Sequence, residues 1–385
     1  MLEVRCLPSL SEVSPREWNR LWPGANPFVQ YAFLRALETS GCTNEHTGWQ
    51  PSHLCLYRGD QLVGAVPTYL KSHSHGEFVF DYAWAEAYQR LGYTYYPKLL
   101  SAIPFTPSAG PRIGVARGEQ PRKILEGVLK AVSEKLEQES LSGWHLLFPE
   151  WPERGDDSTR RGGKLLERHD VQFHFRNRGY GSFDEFLACL RSSRRKTIRR
   201  ERREITRAGL SVVRLRGEEI KDSDWDTFFD CYRLTYLKRS GHGGYLNRQF
   251  FHSLREDLPE QLMLVIALHR GKIVATSLFL FDEACLYGRY WGALEEHRYL
   301  HFECCLYQGI EFCIEQGLSR FDPGTQGEHK LLRGFEPWST HSFHLLFDER
   351  FVGAISEHLA REAVAVRAYC REAALYLPYR RNQTG

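Results

Sequence analysis

This 385-residue chain has no apolar run approaching the roughly 18 residues that a membrane helix needs; LMLVIAL, at 262–268, typifies the longest. Its first residues, MLEVRCLPSL, lack a basic stretch followed by an apolar one, so the expectation is a cytoplasmic protein without membrane insertion. Ten cysteines are present, but CxxC pairs and framework spacing are missing, which argues against a disulfide scaffold and structural zinc. Cys304, Cys305 and Cys313 fit the role of small hydrophobes on a helix face. His297 and His301 stand four apart with Glu303 close by, yet the order is not HExxH, and no metal is expected. SGHGGYL (240–246) lacks the Lys-Ser/Thr of a phosphate loop and reads as a flexible lead into the next helix. No nucleophilic Ser or Cys motif occurs. Lysine is scarce, 11 against 40 arginines, a bias that GC-rich coding produces as readily as phosphate binding does.

What is present is an ordinary globular composition, 42% hydrophobic and 26% charged. At roughly 150 residues per domain the length predicts two domains. The net charge of +3 conceals an asymmetry: RSSRRKTIRRERREITR, 191–207, carries +7 and the rest of the chain −4. On a helix Arg195, Arg199 and Arg203 align, with Arg191, Arg194 and Arg202 as neighbours, a stripe suited to a polyphosphate or RNA backbone. A solvated helix with Glu201 and Glu204 pairing to nearby arginines fits the same pattern equally well.

An internal repeat sets the architecture. LYRGDQLVGAVPTYL (56–70) and LHRGKIVATSLFL (268–280) each read as a β-hairpin around an Arg-Gly turn. Before them, FLRALETSG (33–41) and RLTYLKRSG (233–241) share leucine spacing and a terminal Ser-Gly, as amphipathic helices closing on a glycine cap do. After them come FDYAWAEAY (80–88) and YGRYWGAL (287–294), a weaker match. The Arg/Gly-rich stretch 152–181 is the expected boundary, giving domains 1–165 and 166–385. The second is expected to hold the basic helix 191–207 and a C-terminal helix at 354–377.

Residues 301–335 concentrate the ionisable groups. Glu303, Tyr307 and Glu311 recur every four residues and form one polar line on a helix that Gly317 stops. LSRFD then reads as a short strand ending at Asp322, after which Pro323 and Gly324 turn the chain and present Gln326, Glu328, His329 and Lys330 beside the strand end. A second constellation lies at 80–112, where Trp84, Tyr88 and Tyr96 are expected to wall an acceptor pocket with Lys98, Thr106 and Arg112 binding a carboxylate or phosphate. The alternative is that these aromatics form core.

Helix, hairpin, central strand, helix and strand is the running order of the GNAT acyltransferase fold. PFTPSAGPR (104–112), SSRRKTIRRERR (192–203), HFECCLYQGIEF (301–312) and FDPGTQGEHKLLRGF (321–335) together resemble the FemAB-like predicted N-acyltransferase family over nearly the whole chain. The resemblance implies an α/β fold with mixed sheets, two GNAT-like domains in tandem, and transfer of an activated acyl group to a small-molecule amine. Neither SAGPRIG (108–114) nor EEHRYLHFE (295–303) satisfies the coenzyme A loop signature of GNAT enzymes. FemAB-type proteins take the acyl group from aminoacyl-tRNA, so tRNA is the favoured partner, with acyl-CoA as the alternative and no tightly bound cofactor. Within that chemistry Glu303 is expected to orient or deprotonate the amine, and His329 or Lys330 to polarise the carbonyl or steady the leaving hydroxylate. Tyr307, Asp322, Gln326 and Glu328 are expected to bind substrate. A non-catalytic RNA-binding or scaffold protein that keeps the fold is the third reading. Acceptor, acyl group and oligomeric state are not legible.

Overall fold

The computed structural model describes residues 2–380 apart from 23, 25, 151–164 and 326. The chain divides into two compact units, Met1–Asp170 with Ser339–Arg367, and Val171–Trp338 with Ala368–Gly385. No helix among the described residues is long and apolar enough to cross a membrane.

In the first unit β1 (Glu3–Leu7), β3 (His53–Arg58), β4 (Gln61–Val66) and β7 (Gly114–Val115) form one sheet in the order β1-β3-β4-β7. A second set, β2 (Trp49–Pro51), β5 (Thr68–Lys71), β6 (Lys98–Ser101) and β8 (Gly143–Leu147), runs in the order β8-β6-β5-β2. β6 and β8 are parallel. The helix Pro121–Gln138 lies between them in sequence, as a parallel pair requires a crossover. FDYAWAEAY, matched above to a strand segment of the second half, forms the helix Tyr82–Arg90 instead. Its Trp84 and Tyr88 recur at helical spacing and both are buried.

The chain crosses to the second unit within β9 (Leu165–Arg176). There β10 (Leu210–Arg216), β11 (Leu262–His269), β12 (Lys272–Phe281), β13 (Cys285–Ala293) and β14 (Arg320–Asp322) follow in spatial order, with the end of β9 beyond β14. Arg270 and Gly271, both at positive φ, make the tight turn between β11 and β12. The chain returns within β15 (Glu336–Leu346). The C-terminal helix, Glu349–Leu375, was expected on the second half, but its residues through Arg367 belong to the first unit. The reason is a stripe of three residues spaced four apart, Phe351, Ile355 and Leu359, buried against Trp84, Tyr88, Tyr95 and Leu346. All ten cysteines are free thiols.

Candidate active site

In the second unit β13 pairs with β12 as far as Ala293, but with β14 only over Cys285–Tyr287. The register slips between Leu278 and Phe279, so Arg289 forms a bulge where β13 parts from β14. The free edge of β13 beyond Tyr287 borders a cavity of about 310 Å³ lined by Thr235, Lys238, Arg239, Trp291, His297 and His301, among others. That volume suits an amino-acid-sized group.

The helix after β13 is not uniform. Its α-helical ends, Leu300–Phe302 and Gln308–Glu315, flank a π-turn over Glu303–Tyr307. A π-turn brings residues five apart together, and the Gln308 amide accordingly donates to Glu303 Oε1 at 2.7 Å. Arg202 completes the shell: its Nε donates to Glu303 Oε2 at 3.1 Å and its Nη2 to Oε1 at 3.0 Å and to Glu311 Oε2 at 2.9 Å. Glu303 is buried and its lone pairs are engaged by three donors. This arrangement makes it a tether between helices rather than an open base for an amine. Arg202 is correspondingly turned inward, away from any polyphosphate.

Tyr307 donates to Glu201 and accepts from Arg333 Nε at 2.9 Å, while Arg333 Nη2 reaches both Glu201 oxygens at 2.9 and 3.0 Å. All three side chains are buried. Tyr307 is thus structural, and Arg333, through Nη1 to the His329 carbonyl at 2.9 Å, fixes the segment that carries His329.

After β14, Asp322 accepts from the Gly324 amide at 2.9 Å and lies 3.5 Å from His174, so it closes the turn. Lys330 points its ammonium at the carbonyls of Gly324 (2.7 Å), Thr325 (3.3 Å) and Pro323 (3.5 Å). Its three donors staple the turn, and burial pushes its pKa down to about 8 despite the Asp322 carboxylate. Glu328 is exposed and accepts from Tyr369 at 2.7 Å. Gln326 lies outside the described residues. Gly327, at φ 104°, sits against the His329 imidazole where a Cβ would collide. That side chain is exposed, with its ring centroid 6.0 Å from that of His301 and 5.5 Å from that of Phe302. Burial, then Lys330 and Arg333, lowers the His329 pKa. Burial and His329 push His301 down to about 4. Two neutral imidazoles therefore meet here, and His301 lines the cavity. Neutral imidazoles can take a proton from an amine.

On the basic helix, Ser192–Arg207, the cationic surface consists of Lys196, Arg199, Arg200, Arg203 and Arg207, all exposed, with Arg191 at its N-cap and Arg194 and Arg195 half-buried. Arg199 is paired to Asp184 at 2.7 Å and Arg191 donates to the Tyr379 carbonyl at 3.1 Å.

In the first unit the expected acceptor residues take other roles. Trp84 packs edge-on against His344 and Tyr88 stacks on Phe351 with centroids 3.7 Å apart, so both are core. Thr106 donates to the Pro104 carbonyl at 3.0 Å. Arg112 is buried with Nε on the Leu147 carbonyl (3.0 Å) and Nη2 on that of Ser108 (2.5 Å), holding loops rather than an anion. Tyr96 is half-buried and bonded to Ser74 at 2.8 Å. Lys98, wholly buried, is ion-paired to Glu77 at 2.7 Å and to Asp81, so its charge is already neutralised.

Among the described residues two His/Glu groups have the spacing to share an ion, Glu167 with His169 and His341, and His269 with Glu295 and His297. In the second, both imidazoles already bond one Glu295 oxygen at 3.1 Å. Several residues escaped the sequence reading: His174, stacked on Trp338 and pushed down to about 4 by burial; Lys238, Arg239 and Trp291 at the cavity; and Glu77, Asp81, His145 and His344. Each gains meaning only from tertiary partners; the segments that hold Trp291, Lys238, Arg239 and Asp81 carried a signal as matches in the repeat, but none that singled out these residues.

In fold the chain is similar to FemX (TM-score 0.54, 12% identity, covering 89% of this chain and 98% of that one). It is also similar to a protein of unknown function from Bacteroides thetaiotaomicron (0.51, 11%, 89% and 100%). A third likeness is to the C-terminal domain of a putative lysylphosphatidylglycerol synthetase from Agrobacterium fabrum (0.51, 8%, 90% and 95%). No curated protein matches the sequence significantly. These likenesses are of fold, and that fold is mixed α/β. The sequence itself matches one family over residues 9–381, and on that match the chain belongs to the FemAB-like family, described as peptidoglycan biosynthesis/recognition.

Proposed function

We propose that the protein is an N-acyltransferase that moves an activated acyl or aminoacyl group onto an amine, with aminoacyl-tRNA as the favoured donor and a cell-wall precursor or small peptide-like metabolite as product. The carrying observation is the parting of β13 from β14 beside a cavity whose lining includes Lys238, Arg239 and His301. The free edge of β13 offers main-chain groups to an extended donor, and His329 takes the proton of the attacking amine. Glu303 and Lys330 act by holding the π-turned helix and the 323–327 turn in position.

One feature favours tRNA over coenzyme A. The exposed arginines of the basic helix offer a surface for an RNA backbone.

The test is to incubate the protein with charged tRNA or with acetyl-CoA and a panel of amines. Transfer from charged tRNA that is abolished by ribonuclease is expected. Transfer that survives ribonuclease, or that runs from acetyl-CoA alone, overturns the tRNA reading, and no transfer from either overturns the enzyme. Loss of transfer in His329→Ala with RNA binding intact separates the enzyme from a scaffold.

A further inference from the structure

The cavity of about 310 Å³ beside β13 carries four charged side chains in its lining, Lys238, Arg239, Glu295 and Glu296. Three of them are committed. Lys238 donates to Glu296 Oε1 at 2.8 Å, and Glu295 Oε2 lies 3.1 Å from both His269 Nδ1 and His297 Nε2. Arg239 is the fourth, and among the described residues its guanidinium has no hydrogen-bond or ion-pair partner. It stands in the last turn of the helix Asp222–Ser240, where the helix dipole favours a cation. The dipole explains a basic residue at that helix end; it does not explain a guanidinium left open on a cavity.

The second open group in the lining is His301. Its ring packs edge-on against Trp291 with centroids 5.4 Å apart, and among the described residues it makes no hydrogen bond. Burial keeps it neutral, and His329, Arg239, Lys330 and Arg333 all push its pKa the same way, down. The charge of Arg239 also reaches Cys305 on the same helix. A neutral imidazole with an N–H to give thus shares the cavity with an unpaired cation, in surroundings that favour a bound anion. Trp291, Ala293 and Leu300 supply apolar lining beside them.

We infer that Arg239 receives the carboxylate of the acceptor, which makes the amine substrate a free α-amino acid. The guanidinium donates to both carboxylate oxygens, in the fork geometry that arginine offers, and His301 adds one N–H. The charge count selects a carboxylate over a phosphate: with Lys238 held by Glu296, one uncommitted positive charge remains, which matches a monoanion and leaves a dianion half compensated. His329, the base of the proposed transfer, has its ring centroid 6.0 Å from that of His301, a separation that suits an amine and a carboxylate borne on one carbon. The amino-acid side chain then meets the apolar lining. In the transfer the neutral amine nitrogen forms the amide bond, the acyl–oxygen bond of the donor breaks, and the amine's proton passes through His329 to the leaving hydroxyl. The inference rests on the transferase reading and names its acceptor class.

The probes are the twenty common L-amino acids, titrated singly by calorimetry into the full chain, followed by the carboxamide of the tightest binder and by inorganic phosphate. At least one amino acid is expected to bind, its carboxamide to bind roughly tenfold to a hundredfold more weakly, and Arg239→Gln to show a loss of the same size. Arg239 is exposed and unpaired, so that variant strands no buried group. Binding by none of the twenty, a carboxamide that binds as tightly as its acid, phosphate that binds more tightly in its place, or unchanged affinity in Arg239→Gln overturns the proposal. In the transfer assay Arg239→Gln should raise KM for the amino acid and leave KM for charged tRNA unchanged; the reverse puts the carboxylate on the donor and overturns it as well. Amino-acid binding without transfer from any donor sinks the transferase reading alone. Transfer that runs equally well to amines lacking a carboxylate sinks this inference alone.

Discussion

Arg202 clasps Glu303 through paired hydrogen bonds of 3.1 and 3.0 Å, Nε to Oε2 and Nη2 to Oε1. The pair links the basic helix to the π-turn, so a residue that looked like part of an RNA-binding stripe is structural on one side of its helix, while Arg199 and Arg203 face solvent on the other.

Removing one member of that pair strands the other. Arg202→Met should cost about 3–5 kcal/mol, because Glu303 is left buried with its main counter-charge gone, and Arg202→Met/Glu303→Met should recover much of the loss. Urea denaturation of the two single variants and the double variant measures the coupling. A Glu303→Gln variant of unchanged stability that has lost activity would instead restore Glu303 as a base.

On the proposed reading His329 sets the acid side of catalysis. A base must be neutral, its pKa is lowered by burial and by Lys330 and Arg333, and activity falls as pH drops through that pKa. The acid limb of kcat/KM is therefore expected below about 6.5, the ordinary imidazole value. His329→Ala should lower kcat about 10²- to 10⁴-fold, measured by initial rates across pH 5 to 8. A limb above the ordinary value removes His329 from the role.

Lys330 makes stability depend on alkaline pH. Its folded pKa of about 8 lies below the ordinary 10.5, so the folded state releases the proton first and wild type gains stability relative to Lys330→Met as pH rises from about 8 to about 10.5. Below pH 8 the difference is constant. Denaturant midpoints for both proteins at pH 7.5, 9 and 10 give the curve, and a flat difference across that range contradicts the shift.

Charge reversal on the exposed face should act on RNA rather than on folding. Arg199→Glu/Arg203→Glu is expected to leave the melting temperature within a few degrees of wild type, weaken tRNA binding and flatten its dependence on log salt by about 0.7 per lost phosphate contact. Filter binding at several salt concentrations reads this out. An unchanged salt slope makes the helix a solvated face.

Legibility varied with the range of the determining interactions. Both hairpins, the glycine-capped helix ending at Ser240, the helix stop at Gly317 and the short strand to Asp322 were visible because each depends on neighbours within a few residues. The π-turn was not visible: HFECCLYQGIEF has an ordinary helical period, and the extra residue per turn is stabilised by Gln308 and Arg202 meeting at Glu303. The roles of Lys98, Arg112 and Lys330 were misread for a related reason. A lone cation in sequence looks available, yet each proved to be saturated, by Glu77 and Asp81, by carbonyls of 108 and 147, and by carbonyls of 323–325.

By itself the sequence determined the tandem arrangement and the family, since hydrophobic period, turn chemistry and long segments in fixed order are local properties that survive without coordinates. Only the tertiary structure decided which charged side chains are open. In a buried cluster the state of each group is set by how many donors and acceptors converge on it, and Glu77, Asp81 and Lys98 come together from a loop and a strand about twenty residues apart in a way no spacing rule encodes.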